Sequence, residues 1–229
     1  MNSILFAALV IPLQAFETYK ASAMRFDANT EVSVPIVDLR SLDTPIRDQG
    51  QEGLCTSFAV NAALEQGTGL DLSEQHLWSL YRTYDLTDAL AAATQGVTTE
   101  AVWPYYSPSP MRPIRIAAAV RSYRTLRNMP EIIDALKRQA PVVLAVDVTA
   151  TWQDPQNGYI QLGGDVTGGH AIKVSGIFKD SYHTYFFLKN SWGTDYGDNG
   201  WAYLPVEYCQ TYWCSFTEVT TSPAGNMPQ

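Results

Sequence analysis

The feature that most constrains this chain is a change of pattern at Pro141. Ahead of it lie breaker-free runs that close on glycine or open on capping residues. Beyond it come short β-branched and aromatic runs separated by Gly- and Asp-rich turns. The first run, 55–67, ends on Gly67 and carries Phe58, Ala62 and Leu64 as an apolar stripe, which predicts a helix. Ser73 has N-cap chemistry for a second helix through Tyr81. Segments 87–95 and 130–139 read as further helices, the latter with Pro130 at its start, where a missing N–H is harmless. The stretches 141–148, 170–178, 182–190 and 200–204 read as strands. Helices followed by strands predict an α+β fold of two lobes, and a cleft between such lobes is a natural place for a site.

Composition narrows the function. Of 229 residues, 46% are hydrophobic and 17% charged, against about 25% charged in an average chain. That is enough to build a core and the opposite of a disordered composition. With 15 Lys and Arg against 23 Asp and Glu, there is no basic excess to meet phosphates, so nucleic acid is excluded as a partner. Three cysteines are too few for a disulfide-built scaffold or a cysteine-only zinc site.

The N-terminus leaves alternatives open. The apolar run Ile4 to Leu13 is too short to span a bilayer, which takes about 20 residues. Its length, with Ala21-Ser22-Ala23 behind it, fits a secretory signal. Met1-Asn2-Ser3 carries no positive charge, however, and Glu17 and Lys20 follow. A short pro-segment or docking strand packed on the body, near the cleft, is the favoured expectation. The small, polar stretch from Thr220 to Gln229 reads as a frayed end.

The candidate chemistry begins at Cys55, at the start of the first helix, after Asp48-Gln49-Gly50-Gln51-Glu52-Gly53-Leu54. A helix N-terminus favours the thiolate, the form that attacks carbonyls. A lone cysteine is also often a small buried hydrophobe. His170, in Gly168-Gly169-His170-Ala171, offers an imidazole that could take the thiol proton and return it to a leaving amine. Asn190, followed by Ser191-Trp192-Gly193, offers a carbonyl to orient that ring, and Trp192 a cover for the bond.

Taken in order, these residues resemble papain-like cysteine peptidases. Asp38-Leu39-Arg40 with Pro45-Ile46-Arg47-Asp48-Gln49-Gly50 is similar to the family's opening motif. Gln49 stands six positions before Cys55, the family spacing for an oxyanion-hole glutamine. Ser57-Phe58-Ala59, Leu72-Ser73-Glu74-Gln75, Gly96-Val97 with Trp103-Pro104-Tyr105, Gly158-Tyr159-Ile160, Asn190-Ser191-Trp192-Gly193 and Gly197-Asp198-Asn199-Gly200-Trp201 match in turn. His170 follows Cys55 by 115 residues and Asn190 by 135, close to the family distances.

The resemblance implies a papain-like two-lobed fold, with a helical lobe at about 50–135, a β-barrel-like lobe at about 136–215 and the active-site cleft between them. It divides the chain into an extension, 1–33, and a catalytic domain, 34–229. It implies an endopeptidase with Cys55 as nucleophile, His170 as general base and acid, Asn190 as orienting residue, and Gln49 with the Cys55 N–H as oxyanion hole. Gly53, Ala145, Gly169, Ala171 and Trp192 would line the substrate site, and the small residues among them predict a pocket for a bulky apolar or aromatic side chain. Alternatives on the same scaffold are an isopeptidase, a deamidase or a catalytically poor binding protein.

Departures from the family pattern stand out. Glu52 replaces a usual disulfide cysteine, Thr56 replaces an aromatic residue, and 77–87 lacks the family's glycine pair. These suggest a divergent, bacterial branch. Cys209 and Cys214 pair only if the protein is exported. Export is favoured over a cytoplasmic location. The expected partner is a peptide or protein substrate, with no cofactor, no membrane span and no metal, since His76 and His183 are not at ligand spacing.

Overall fold

The computed structural model of the protein describes residues 11–22, 25–27 and 36–223. Helix α1 spans Leu13–Ser22. Helix α2, Cys55–Thr68, ends on Gly69, whose φ of 67° lets its N–H reach the Glu65 carbonyl. Helix α3, Glu74–Tyr81, starts where Ser73 predicts, with the Ser73 hydroxyl accepting the His76 N–H. Helix α4, Leu86–Ala93, is capped by Asp85, and α5, Met129–Lys137, by Asn128 with Pro130 in its first turn. A last short helix, α6, covers Tyr208–Thr211.

Strands β3 (Val142–Thr149), β4 (Val166–Lys179), β5 (Thr184–Lys189) and β6 (Trp201–Pro205) fall on the expected runs. Three further strands were not expected: β1 (Val37–Asp38), β2 (Ala118–Leu126) and β7 (Cys214–Pro223). All pair antiparallel in one sheet, ordered β2-β7-β3-β4-β5-β6, with β1 on β4. Strand β7 corrects the frayed-end reading. Residues 220–223 pair with β2, while 224–229 lie outside the described residues, as do 1–10, which hold most of the apolar N-terminal run, and Ala23 of the small-residue triplet. Strand β2 likewise interrupts the helical half.

Strand β3 is buried along its whole length because both faces are covered. Leu144, Val146 and Val148 pack with α5, Trp152, Phe186 and Phe216 in one core. Val143 and Ala145 join Ala171 in a second core with α1, α2, α3 and α4. A strand covered on both faces reads as a continuous apolar run rather than an alternation.

The sheet face that meets α2 also holds buried charge. Lys173 of β4 pairs with Asp43 at 2.8 Å, and both side chains are enclosed. Lys189 of β5 donates to Thr44 Oγ1 at 2.8 Å and lies 3.9 Å from Glu65 of α2. Burial lowers the pKa of both lysines, opposed by those carboxylates.

Candidate active site

Cys55 is the opening residue of α2, and no side chain caps that helix end. The Ser57 and Phe58 N–H groups turn back onto the Leu54 carbonyl, and those of Cys55 and Thr56 face the thiol. The thiol is fully buried and meets the N–H groups of Ala171, Thr56 and Cys55 itself. Burial outweighs those bonds and pushes its pKa up to about 12.

His170 lies in β4 beside Ala171 and is also fully buried. Its Nε2 is 2.8 Å from Asn190 Oδ1. The Ser191 N–H donates to the same oxygen at 2.8 Å, which fixes that atom as an acceptor. His170 must then donate from Nε2, leaving the lone pair on Nδ1, which is buried without a hydrogen-bond partner. Trp192 covers the ring at 4.7 Å and Trp152 meets it edge-on at 6.1 Å. In this apolar enclosure the imidazole falls to about pKa 4.

Gln49 is fixed by the residue after Asn190. Its N–H donates to the Ser191 carbonyl at 2.8 Å, and its Oε1 accepts the Ser191 hydroxyl at 2.6 Å. Its amide nitrogen donates to the Glu52 carbonyl at 2.8 Å. The Thr56 and Ser57 hydroxyls both meet the Tyr81 hydroxyl, at 2.7 and 2.8 Å, so an aromatic residue from α3 packs against Thr56.

The N-terminal segment covers one side of this site. Ile11 and Gly169 exchange two backbone hydrogen bonds, 2.6 and 3.1 Å, one residue before His170. Phe16 is fully buried over Gly169, where any Cβ would overlap its ring. Phe16 and Tyr19 both pack edge-on against Trp213. The Tyr19 hydroxyl bonds Ser215 of β7 and Thr87 of α4, so α1 bridges the sheet and the helical lobe. Lys20 pairs with Asp147 of β3 at 2.8 Å. Further along, Arg25 donates to the Gln210 and Tyr212 carbonyls and the Phe26 N–H to the Cys214 carbonyl. Cys209 and Cys214 form a disulfide, closing the loop to which these residues attach. A groove of 280 Å³ with Trp192 in its wall, lined also by Asp48, Gln51, Asp154, Asp195 and Tyr196, includes no described α1 residue.

The four residues read as catalytic thus meet at the junction of α2, β4 and the turn after β5. Ala145 and Ala171 pair in register across β3 and β4 on the face under α1. Gly53 sits half-buried on the loop into α2. His76 is buried, its Nδ1 accepting the Thr98 N–H at 3.2 Å, and His183 lies 3.2 Å from Glu207. Among the described residues no group of three or more His, Cys, Asp or Glu could hold a metal ion. No described helix is long and apolar enough to cross a membrane. Sequence reasoning missed Phe16, Tyr19, Lys20, Asp147, Ser191 and Trp213. An aromatic and a lysine four residues apart was the available signal for the first and third.

The asparagine-oriented imidazole of His170 stands one residue before Ala171, whose N–H meets the thiol at the start of α2. The chain belongs to the papain family: the family profile described as "papain family cysteine protease" matches residues 35–223. Cysteine proteinase A of Leishmania mexicana is 30% identical over 71% of this chain and 52% of its own length. The viral cathepsin of Mamestra configurata nucleopolyhedrovirus is 29% identical over 69% and 52%. The chain spans about half the length of these curated relatives. A recombinant stem bromelain precursor shares the fold, with a TM-score of 0.75 at 21% identity, over 96% of this chain and 80% of that one. Relatives from a virus and a protozoan give no support to the bacterial placement expected from the departures.

Proposed function

We propose that this chain is a cysteine endopeptidase acting through an acyl-thioester, and that residues 11–22 are a pro-segment resting in its cleft. The observation that carries the reading is the fixed tautomer of His170, held by Asn190 with its lone pair left on Nδ1. His170 Nδ1 removes the Cys55 proton, and the thiolate attacks the substrate carbonyl carbon. The oxyanion that forms accepts the Cys55 N–H and the Gln49 amide, which turns from the Glu52 carbonyl to meet it. His170 gives its proton to the leaving amine. It then deprotonates a water that opens the thioester, restoring thiol and imidazole.

In the covered form this chemistry is off. A thiol near pKa 12 and an imidazole near pKa 4 are both neutral at pH 7. Removing α1 admits water to the pair and lets the charges form. The match of the family profile from residue 35 onward supports reading 1–33 as an extension and 34–229 as the catalytic domain. The disulfide supports an exported protein, since such bonds persist in oxidising compartments. Phe16 over Gly169 supports a pocket for a bulky apolar side chain.

The test is thiol labelling of the full chain with an epoxide peptide, mapped by mass. Cys55 should label in the native chain and faster in Phe16→Ala, and His170→Ala should slow it. Cys55→Ser should lower peptide turnover by about 10⁶-fold, the scale for loss of a nucleophile. Labelling of Cys55 that ignores His170→Ala would remove the assigned base.

A further inference from the structure

Asp147 is a carboxylate in a strand that is otherwise apolar from Val142 to Val148. In register it faces Gly169, the residue before His170, and it shares a sheet face with Ala145 and Ala171. Its Oδ2 accepts the Trp213 N–H at 2.8 Å. Its Oδ1 takes the Lys20 ammonium at 2.8 Å, with the two side chains 5% and 18% exposed. Lys20 also lies 5.7 Å from the centre of the Phe16 ring, so the carboxylate stands at the edge of the pocket that this ring fills. When α1 leaves, Asp147 keeps one N–H and loses its cation, while Trp213 continues to hold it in place. A half-buried carboxylate with an open oxygen strongly favours a positive partner.

We propose that Asp147 is a specificity-determining residue: in the uncovered enzyme it binds a lysine or arginine side chain of the substrate, at the place Lys20 occupies now. The pocket then has two parts, an apolar floor of Gly169, Ala145 and Ala171 and an acidic wall at Asp147. The preferred peptide carries a basic side chain within reach of an apolar one, as Lys20 stands one helical turn from Phe16. Lys20 is thus the segment's own copy of the substrate cation. This inference rests on the reading that α1 vacates the cleft.

The experiment uses the full chain carrying Phe16→Ala and Lys20→Ala, which frees both parts of the pocket. Cys55 labelling reports opening. Paired peptides that differ only in arginine against its neutral isostere citrulline, placed in turn at each position around the cut, report the charge preference as a ratio of kcat/KM. The expected ratio is about tenfold or more at one position, the scale for a charge-assisted hydrogen bond. It should fall to near one in Asp147→Asn and persist in Asp147→Glu. Labelling no faster than in the native chain would overturn the cleft reading and this inference with it. Faster labelling with a ratio near one at every position overturns this inference alone, whether or not the Asp147 variants fold. A ratio that survives Asp147→Asn assigns the preference to another residue and also overturns it. If Asp147 serves only to hold Lys20, Asp147→Asn in the otherwise native chain speeds labelling while the opened chain shows no charge preference.

Discussion

Helices α1 and α2 share a core on one face of the sheet, yet they are attached in different ways. Helix α2 is buried from Cys55 to Asn61 and again from Ala63 to Glu65. Beneath it lie the enclosed pairs Lys173–Asp43 and Lys189–Glu65. Helix α1 buries Phe16 and Tyr19 but leaves Leu13, Gln14 and Glu17 exposed, and its one link to a body carboxylate, Lys20–Asp147, reaches the surface. A ten-residue helix is marginal alone in water and exists here because it is docked. Enclosed charge must stay paired, which holds α2 through Glu65. The Lys20–Asp147 pair, nearer the surface, can exchange partners, as the proposed release of α1 requires.

Three measurements press on that contrast. The largest effect belongs to the fixed helix. Glu65→Ala leaves the enclosed Lys189 ammonium without its carboxylate and should cost about 3–5 kcal/mol of global stability, read from the denaturant midpoint. A change below about 1 kcal/mol would mean that this interface is no more committed than the cover. Next comes Phe16→Ala, which should weaken docking by about 3 kcal/mol and raise the rate of Cys55 labelling by about 100-fold. The global midpoint should barely move, because only the segment detaches. A midpoint that falls in step with the docking would make α1 part of the folding unit.

The smallest effect is that of pH. Burial depresses His170 from its ordinary 6.5 to about 4. Between those values the uncovered form, with its ring hydrated, binds more protons than the covered form. The cover is therefore at full strength above about pH 6.5 and weakens as pH falls towards 4, by at most about tenfold per unit. Cys55, raised from 9.0 to about 12, adds the opposite limit, with docking weakening above pH 9. The amide of Gly169, which donates to Ile11, should exchange its hydrogen faster at pH 5 than at pH 7.5 after correction for intrinsic rates. The change should persist in Lys20→Met, which removes the Asp147 ion pair. A flat profile would detach the dyad's protonation from the cover.

Much of the body was legible because its signals are local. Helices α2, α3 and α5 announce themselves through a breaker-free run, Ser73 and Pro130, although α2 passes the expected stop at Gly67 and ends on Gly69, and β3 through an apolar run interrupted at Asp147. The four candidate catalytic residues were legible only as an ordered set, since nothing in the sequence says that residues 115 positions apart will share one junction of the fold. Strand β7 was not legible. Its polar residues suit a loose end as well as a strand, and its place between β2 and β3 depends on partners 68 to 105 residues earlier. Asp147 was hidden for a related reason: one acid in an apolar strand gains meaning only when Lys20 is found against it. The Cys209–Cys214 bond could not be decided from spacing, because pairing depends on compartment as well as geometry.

Gly169 gives the cover an uncommon sensitivity. Phe16 occupies the volume that a β-carbon would fill, so the body accepts the segment only while this position has no side chain. Every point mutation at this position adds at least a methyl group beside His170 without altering any reacting atom. Such a change would evict the ring and leave the thiol, imidazole and asparagine chemically intact. One missing carbon is thus what lets the segment dock, and docking is more sensitive to this position than any reacting atom is.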